Sequence, residues 1–230
     1  MAPDSTVLVV DDHALFSEAV TLALAAEGRT VHRLALEDTG GAPTRVLSAA
    51  LRLRPSIVLL DLDLGRYGDG HALIRPLARA GAAVVVVTGL LDDADWGGCL
   101  RQGARVVVAK HRPLAELVAV VRKLEAGEAV LRASEYQRLT RLWQDRLVED
   151  EEHRRRLGRL SPREREVLGE LMAGHTIRQI AGRDVVSEAT VRTQVRTILH
   201  KLGVSTQIAA VGMAHRVEWR SPPGDRVSLS

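Results

Sequence analysis

Apolar positions in the first 126 residues come in short unbroken runs separated by stretches of helical period. Thr6 to Val10 is such a run. Leu15, Phe16, Ala19, Val20 and Ala23 then repeat at helical spacing until Gly28. Val31 to Leu34 makes a weaker second run, and Val46 to Leu53 a helix that stops before Pro55. Ile57 to Leu60 runs straight into Asp61, a helix covers His71 to Arg79, and Ala83 to Val87 ends at Thr88. A helix near Asp92 to Arg101 leads to Arg105 to Ala109, which ends at Lys110, and Pro113 opens a last helix reaching Ala126. Strands apolar on both faces, alternating with helices, predict an α/β fold with a doubly wound five-stranded parallel sheet.

After residue 126 the runs disappear and only helical period remains, which predicts a small all-α domain behind the sheet. Residues 127–159 read as a partly helical linker: Ser134 to Gln137 fits a capping box, and Tyr136, Leu139, Trp143 and Leu147 share a face. Trp143 is expected to pack against a domain or a second subunit, unless the helix is simply solvated. In 160–220, Ser161, Pro162 and Glu164 mark a helix start and Gly174 its stop. Thr176 to Gln179 opens a short helix through Ala181, Ser187 caps a longer one ending at Gly203, and a fourth covers about Thr206 to His215. The short helix, a turn near Gly182 to Val186 and the long helix predict a helix-turn-helix. Val191, Val195, Ile198, Leu199 and Leu202 make its buried stripe, with Ala189, Thr193, Arg196, Thr197 and His200 outside and Arg192 on the flank. Small and basic residues on that face suit a major groove; a plain helical bundle with a solvated arginine face is the competing reading. The tail 221–230 reads as disordered.

The polar residues of the first half gather at the strand ends. Asp11 and Asp12 follow the first strand, Asp61 the third, Thr88 the fourth and Lys110 the fifth. In a parallel sheet these ends share one edge, where open α/β sheets bind ligands. Clustered carboxylates repel without a cation, and hard oxygen donors suit Mg²⁺. Asp61 can then attack phosphorus while Lys110 and Thr88 hold phosphoryl oxygens. Taken singly, the aspartates would cap helices, Thr88 would end a strand and Lys110 would be a solvated charge. Their joint placement favours a phosphorylation site.

Charge separates the two halves. Residues 1–126 carry 14 Lys/Arg against 15 Asp/Glu, whereas 158–220 carry 10 against 6. A polyanion partner is therefore expected for the C-terminal part alone. Of the 32 basic residues 29 are arginine, the planar cation that grips phosphate. A single cysteine, Cys99, excludes an internal disulfide framework and reads as a small buried side chain. The N-terminus lacks a signal-peptide pattern, and the uncharged run Ala80 to Leu91 is too short to span a bilayer. A cytoplasmic protein without a membrane partner is expected.

Two resemblances sharpen this. VVDDHALFSEAV and SIVLLDLDLGRYGDG resemble the first strand and helix and the phosphoacceptor segment of NarL/FixJ (LuxR-type) response regulators, whose receiver domain is flavodoxin-like. The resemblance covers residues 5–126. It implies that Asp61 accepts a phosphoryl group from a sensor histidine kinase, that Asp11, Asp12, Asp61 and the backbone carbonyl of Asp63 hold Mg²⁺, and that Thr88 and Lys110 contact the phosphoryl group. Val107 stands where the family usually has Tyr or Phe, and Gly65 where it has Pro, so the usual Thr–aromatic relay cannot operate.

LSPREREVL and IAGRDVVSEATVRTQVRTILHKLGVS resemble the LuxR-type DNA-binding domain. This implies base reading by Arg192, Thr193 and Arg196, phosphate contacts from Thr190 and Lys201, and a homodimer through the fourth helix on an inverted repeat of double-stranded DNA. RNA polymerase is a further candidate partner. Gln194 stands where His is frequent, and Thr176-Ile177-Arg178 where Ser-Asn-Lys is common. The expected function is transcriptional regulation, not enzymatic turnover. Two alternatives stay open: a LuxR-type transcription factor controlled without phosphorylation, and a phosphohydrolase using Asp61 and Asp63 as nucleophile and general acid.

Overall fold

The computed structural model describes residues 5–40, 42–89 and 92–220. Five parallel strands form one sheet in the order β2-β1-β3-β4-β5: β1 Thr6–Val10, β2 Thr30–Arg33, β3 Ile57–Leu60, β4 Ala83–Thr88 and β5 Val106–Ala109. The helices between and after them are α1 Ala14–Ala26, α2 Pro43–Arg52, α3 His71–Arg79, α4 Asp93–Gln102 and α5 Leu114–Glu125. Alternate strand residues point to opposite layers. Leu8, Val10, Val58, Leu60, Val84 and Val86 pack with Val46, Leu73, Ile74, Leu77 and Cys99 from α2 to α4. Val7, Val9, Ile57, Leu59, Val85 and Val87 pack with Val20, Leu24, Leu117 and Val121 from α1 and α5.

The register levels the strand ends. Val10 pairs with Leu60 and Leu60 with Val86, while Thr88 pairs with Ala109. Because the order reverses at β1, the residues after β1 and β3 flank the crevice where such sheets bind ligands. Two short 3₁₀ turns, Leu36–Thr39 and Gly65–Tyr67, were not expected. The second exists because Gly65 takes a left-handed φ of 54°, which the proline usual at this position could not adopt.

A long helix, α6, covers Ala133–Gly158. The chain divides into two units inside it, Met1–Gln144 and Asp145–Ser230. The expected Ser134 capping box does not form. Tyr136 N–H already donates to the Arg132 carbonyl, so the helix starts ahead of Ser134 and leaves it inside the first turn. Trp143 packs on α4 of its own unit, where Gly97 and Gly98 make room. A Cβ on Gly97 would lie 2.1 Å from the Leu139 carbonyl oxygen, and one on Gly98 2.9 Å from the Trp143 Nε1.

The second unit holds α7 Pro162–Met172, α8 Ile177–Arg183, α9 Glu188–Leu202 and α10 Gln207–Arg216. Ser161 and Thr176 each close a capping box, with Glu164 and Gln179, and Ser187 and Thr206 cap the next two helices. The core is Leu157, Leu160, Val167, Leu168, Ile180, Val191, Val195, Ile198, Leu202 and Ala210. Leu199 only half joins the expected stripe, being partly exposed. Glu149 and Asp150 of α6 reach Arg216 of α10 at 2.6 and 2.9 Å. The residues 221–230, read from sequence as disordered, lie outside the described residues.

Candidate functional site

Five of the residues singled out at the strand ends meet in one place. Asp61 and Asp11, with side chains only 2% exposed, face the Lys110 ammonium at 2.7 and 2.8 Å. The ammonium also lies 5.1 Å from the centre of the Phe16 ring. Thr88 is buried at the end of β4, and its carbonyl accepts the Lys110 N–H at 2.9 Å, fixing one strand end against the next. Asp12 stands beside them, 26% exposed. A cavity of about 560 Å³ opens here, lined by His13, Asp61, Leu62, Asp63, Gly68, Asp69, His71, Thr88, Gly89 and Lys110.

Glycine allows the loops to close on this cavity. A Cβ on Gly70 would sit 2.2 Å from the Asp61 carbonyl oxygen, so the backbones touch and no other residue fits. A Cβ on Gly65 would sit 2.7 Å from an Asp12 carboxylate oxygen. The Asp63 side chain turns back into its own loop, where its carboxylate accepts from Gly65 N–H at 3.0 Å, while its N–H donates to Asp61 at 3.3 Å.

Burial is the largest influence on Asp61 and pushes its carboxyl above the usual range. The Lys110 hydrogen bond opposes it and the Asp11 charge adds to it. For Lys110, burial favours the neutral amine, but its bonds to Asp11 and Asp61 outweigh that and raise it. Three carboxylates thus share one nearby lysine, and Asp11 Oδ2 is buried without a hydrogen bond of good geometry, although the ammonium is close. Excess negative charge with an under-satisfied oxygen is a donor set that fits a hard divalent cation. Asp11, Asp12, His13 and Asp61 each offer one ligand atom, all within 4.8 Å of one another. His13, Asp69 and His71 were missed from the sequence. His13 could have been found by its place directly after the aspartate pair; His71 and Asp69 enter only because the loop after β3 folds back.

Cys99 takes no part. It is buried on the inner face of α4, with its thiol pushed up to about 12 by desolvation.

In the second unit, α8 and α9 flank a turn at residues 184–187, and α9 shows Ala189, Thr190, Arg192, Thr193, Arg196, Thr197 and His200 to solvent. Among the described residues Arg196 makes no ion pair. Arg192 is tied to Glu188 at 2.9 Å, Thr193 to the Ala189 carbonyl at 3.0 Å, and Thr190 to Ser187 at 2.9 Å. Lys201 stands apart. Its ammonium is 2.7 Å from Glu164, the carboxylate of the α7 capping box, and joins α9 to α7. No described helix is long and apolar enough to cross a membrane.

Comparison with known proteins agrees with both halves. The family model for the response regulator receiver domain matches residues 7–122, and the model for bacterial regulatory proteins of the luxR family matches 158–214. A probable transcriptional regulatory protein NarL of Mycobacterium tuberculosis is 32% identical over 215 residues, covering 91% of this chain and 93% of the relative. The DNA-binding transcriptional activator DevR/DosR of the same organism is 28% identical, covering 95% and 98%. A solved structure of RcsB from Salmonella enterica serovar Typhimurium, bound to a promoter in the presence of a phosphomimetic, shares the fold with a TM-score of 0.50. It is 23% identical and covers 94% of this chain and all of that one (100%).

Proposed function

This chain belongs to the NarL/FixJ (LuxR-type) response regulators, two-component DNA-binding transcriptional regulators, and from that premise we propose that Asp61 is its phosphoacceptor and that phosphorylation there controls DNA binding by α9. One observation carries the reading. Lys110 bridges the buried carboxylates of Asp61 and Asp11 at the edge where Thr88 also ends its strand.

The phosphodonor is a sensor histidine kinase. Asp61 Oδ2 attacks the phosphorus of its phosphohistidine, the P–N bond breaks, and the imidazole leaves with the electron pair. Lys110, released from pairing with a bare carboxylate, follows one phosphoryl oxygen, and the Thr88 hydroxyl donates to another. Asp11, Asp12, Asp61 and the Asp63 backbone carbonyl would hold Mg²⁺, which would supply charge neutralisation at the phosphoryl group. Val107, packed in the core at 7% exposure, offers no ring to follow Thr88, so the response leaves the pocket by another local shift.

Residues 1–126 form the receiver, 127–159 connect, and 160–220 bind double-stranded DNA as a homodimer on an inverted repeat, with α10 between the copies. Arg196, Arg192 and Thr193 read bases and Thr190 contacts phosphate. Lys201 contacts phosphate only by loosening its hold on Glu164. RNA polymerase is the partner that follows in activation, and the cytoplasm is where the protein works. A hydrolase reading is disfavoured because the Asp63 carboxylate, the acid it needs, turns back into its own loop toward Gly65 N–H.

The test is incubation of the full chain with acetyl phosphate and Mg²⁺, read by intact-mass spectrometry. A single phosphoryl increment in the wild type, absent in Asp61→Asn, is expected. Labelling that persists in Asp61→Asn counts against the assignment, and continuous release of phosphate from simple monoesters would revive the hydrolase.

A further inference from the structure

Among the polar side chains of the pocket that have no role so far, His13 stands nearest the carboxylates. His13 sits at the mouth with 62% of its side chain exposed, so burial does not hold it there. Its backbone N–H donates to Asp11 Oδ1 at 2.8 Å, which pins the residue against the carboxylates. Resting on the cation site of the preceding section, we propose that the His13 imidazole is a nitrogen ligand of that cation and shifts the site's preference from Mg²⁺ toward borderline transition ions.

The spacing carries the argument. His13 Nδ1 lies 2.8 Å from Asp12 Oδ1, 3.3 Å from Asp11 Oδ1 and 3.7 Å from Asp61 Oδ2. Adjacent ligands on one octahedral ion with bonds of about 2.1 Å stand about 3.0 Å apart, and opposite ones about 4.2 Å. The four donor atoms, all within 4.8 Å of one another, are gathered close to the span that the ligands of one ion take up.

Hydrogen bonding explains the position less well. Nδ1 is also 3.3 Å from the Lys110 ammonium. A protonated Nδ1 can donate to Asp12 but then opposes Lys110. An unprotonated one can accept from Lys110 but then turns a lone pair on Asp12. A divalent cation between the nitrogen and the carboxylates takes the lone pair and the carboxylate oxygens together and leaves Lys110 to its bonds with Asp11 and Asp61. The donor type sets the selectivity. Carboxylates and water suit Mg²⁺, whereas an imidazole nitrogen favours ions further along the first transition row.

The full-length protein is titrated with MgCl₂ and with CoCl₂ alone, without phosphodonor. Heat is the first readout and the visible absorption of bound Co²⁺ the second. In the wild type Co²⁺ binds about tenfold or more tightly than Mg²⁺. His13→Ala loses about tenfold or more for Co²⁺, with an altered Co²⁺ spectrum, and changes Mg²⁺ affinity by no more than about twofold. His13→Gln, which keeps a polar side chain of similar reach, behaves as His13→Ala. Equal losses for both ions in His13→Ala, an unchanged Co²⁺ affinity, or Co²⁺ affinity retained by His13→Gln each overturn the proposal. Asp12→Asn separates this failure from a deeper one. If it leaves Mg²⁺ and Co²⁺ binding intact, there is no cation in the pocket and both readings fall; if it abolishes them while His13→Ala is silent, only the role of His13 falls.

Discussion

The acidic pocket and the outer face of α9 handle charge in opposite ways. In the pocket, charge is buried, shared and drawn from the ends of four elements: Asp11 after β1, Asp61 after β3, Thr88 on β4 and Lys110 after β5. On α9, charge is exposed, comes from one helix, and includes in Arg196 a cation without an ion pair among the described residues. The pocket therefore keeps a problem inside the fold, since desolvation raises the Asp61 carboxyl against its own ionised form. The α9 face keeps nothing back, because its arginine is already solvated and available to phosphate or base. A region that must change state is built under tension; a region that must meet a partner is built open.

The strongest way to break this contrast is to add one methyl group to each side. Gly70→Ala would push a Cβ to within 2.2 Å of the Asp61 carbonyl oxygen and 2.9 Å of the Leu62 Cα, both backbone atoms that cannot step aside. Gly182→Ala, on α8, meets nothing within 4 Å. The first should cost about 3 kcal/mol in urea unfolding and abolish phosphoryl labelling. The second should be neutral or stabilising by about 0.5–1 kcal/mol, since alanine is the better helix former. Equal effects would mean that the pocket is no more tightly built than the helix-turn-helix.

The two regions also differed in how far the sequence revealed them. On α9 the working residues lie three and four apart, so helical period alone separates buried Val191, Val195, Ile198 and Leu202 from exposed Thr193 and Arg196. Caps written in local chemistry, at Ser161, Thr176 and Ser187, form as read, but Ser134 does not, because the helix begins one residue earlier, at Ala133, and takes Ser134 into its first turn. In the pocket, strand ends could be placed because buried runs stop abruptly at polar residues. What stayed hidden depends on loops that fold back: the 3₁₀ turn at Gly65, the arrival of Asp69 and His71 beside Asp61, and the glycine step that seats Trp143 on α4. Such contacts leave no period in the sequence. Lys201 is the sharpest case, since the resemblance implies a phosphate contact while its distance to Glu164 ties it to the core of its unit.

Lys201 and Arg196 can be separated by measuring binding and stability together. Arg196→Ala should weaken binding to the specific site by about 1–3 kcal/mol at fixed salt and leave unfolding unchanged. Lys201→Ala should cost about 2 kcal/mol in unfolding, because it strands a carboxylate that is 10% exposed. Acid tests the same bond. Desolvation pushes the Glu164 carboxyl up, but Lys201 and the Ser161 N–H outweigh it and hold it below 4.5. A carboxyl depressed in the folded state stabilises above its ordinary value and loses that contribution as pH falls through the lower, folded one. The second unit should therefore weaken from about pH 4.5 downward. In Lys201→Ala that part of the acid response should shrink, and an identical pH profile would mean the pair contributes nothing.

The smallest effect concerns the turn that aims α9. Val185 is 91% exposed and holds a left-handed φ of 53°, a conformation that costs a β-branched residue about 1–2 kcal/mol. Nothing packs over the side chain to recover that cost, so the flanking helices must enforce the turn: Thr176 and Ser187 cap them, and Arg163 grips Asp184 from α7. Val185→Gly should then stabilise the unit by about 1 kcal/mol, less the entropy that glycine adds to the unfolded chain. DNA affinity should stay within about twofold of wild type, because the residues proposed to read bases are carried by α9 and not by the turn. A loss of specific affinity in a variant that unfolds later than wild type would place Val185 among the groups that touch DNA, and the line between a tense pocket and an unstrained reading surface would have to be redrawn inside the helix-turn-helix itself.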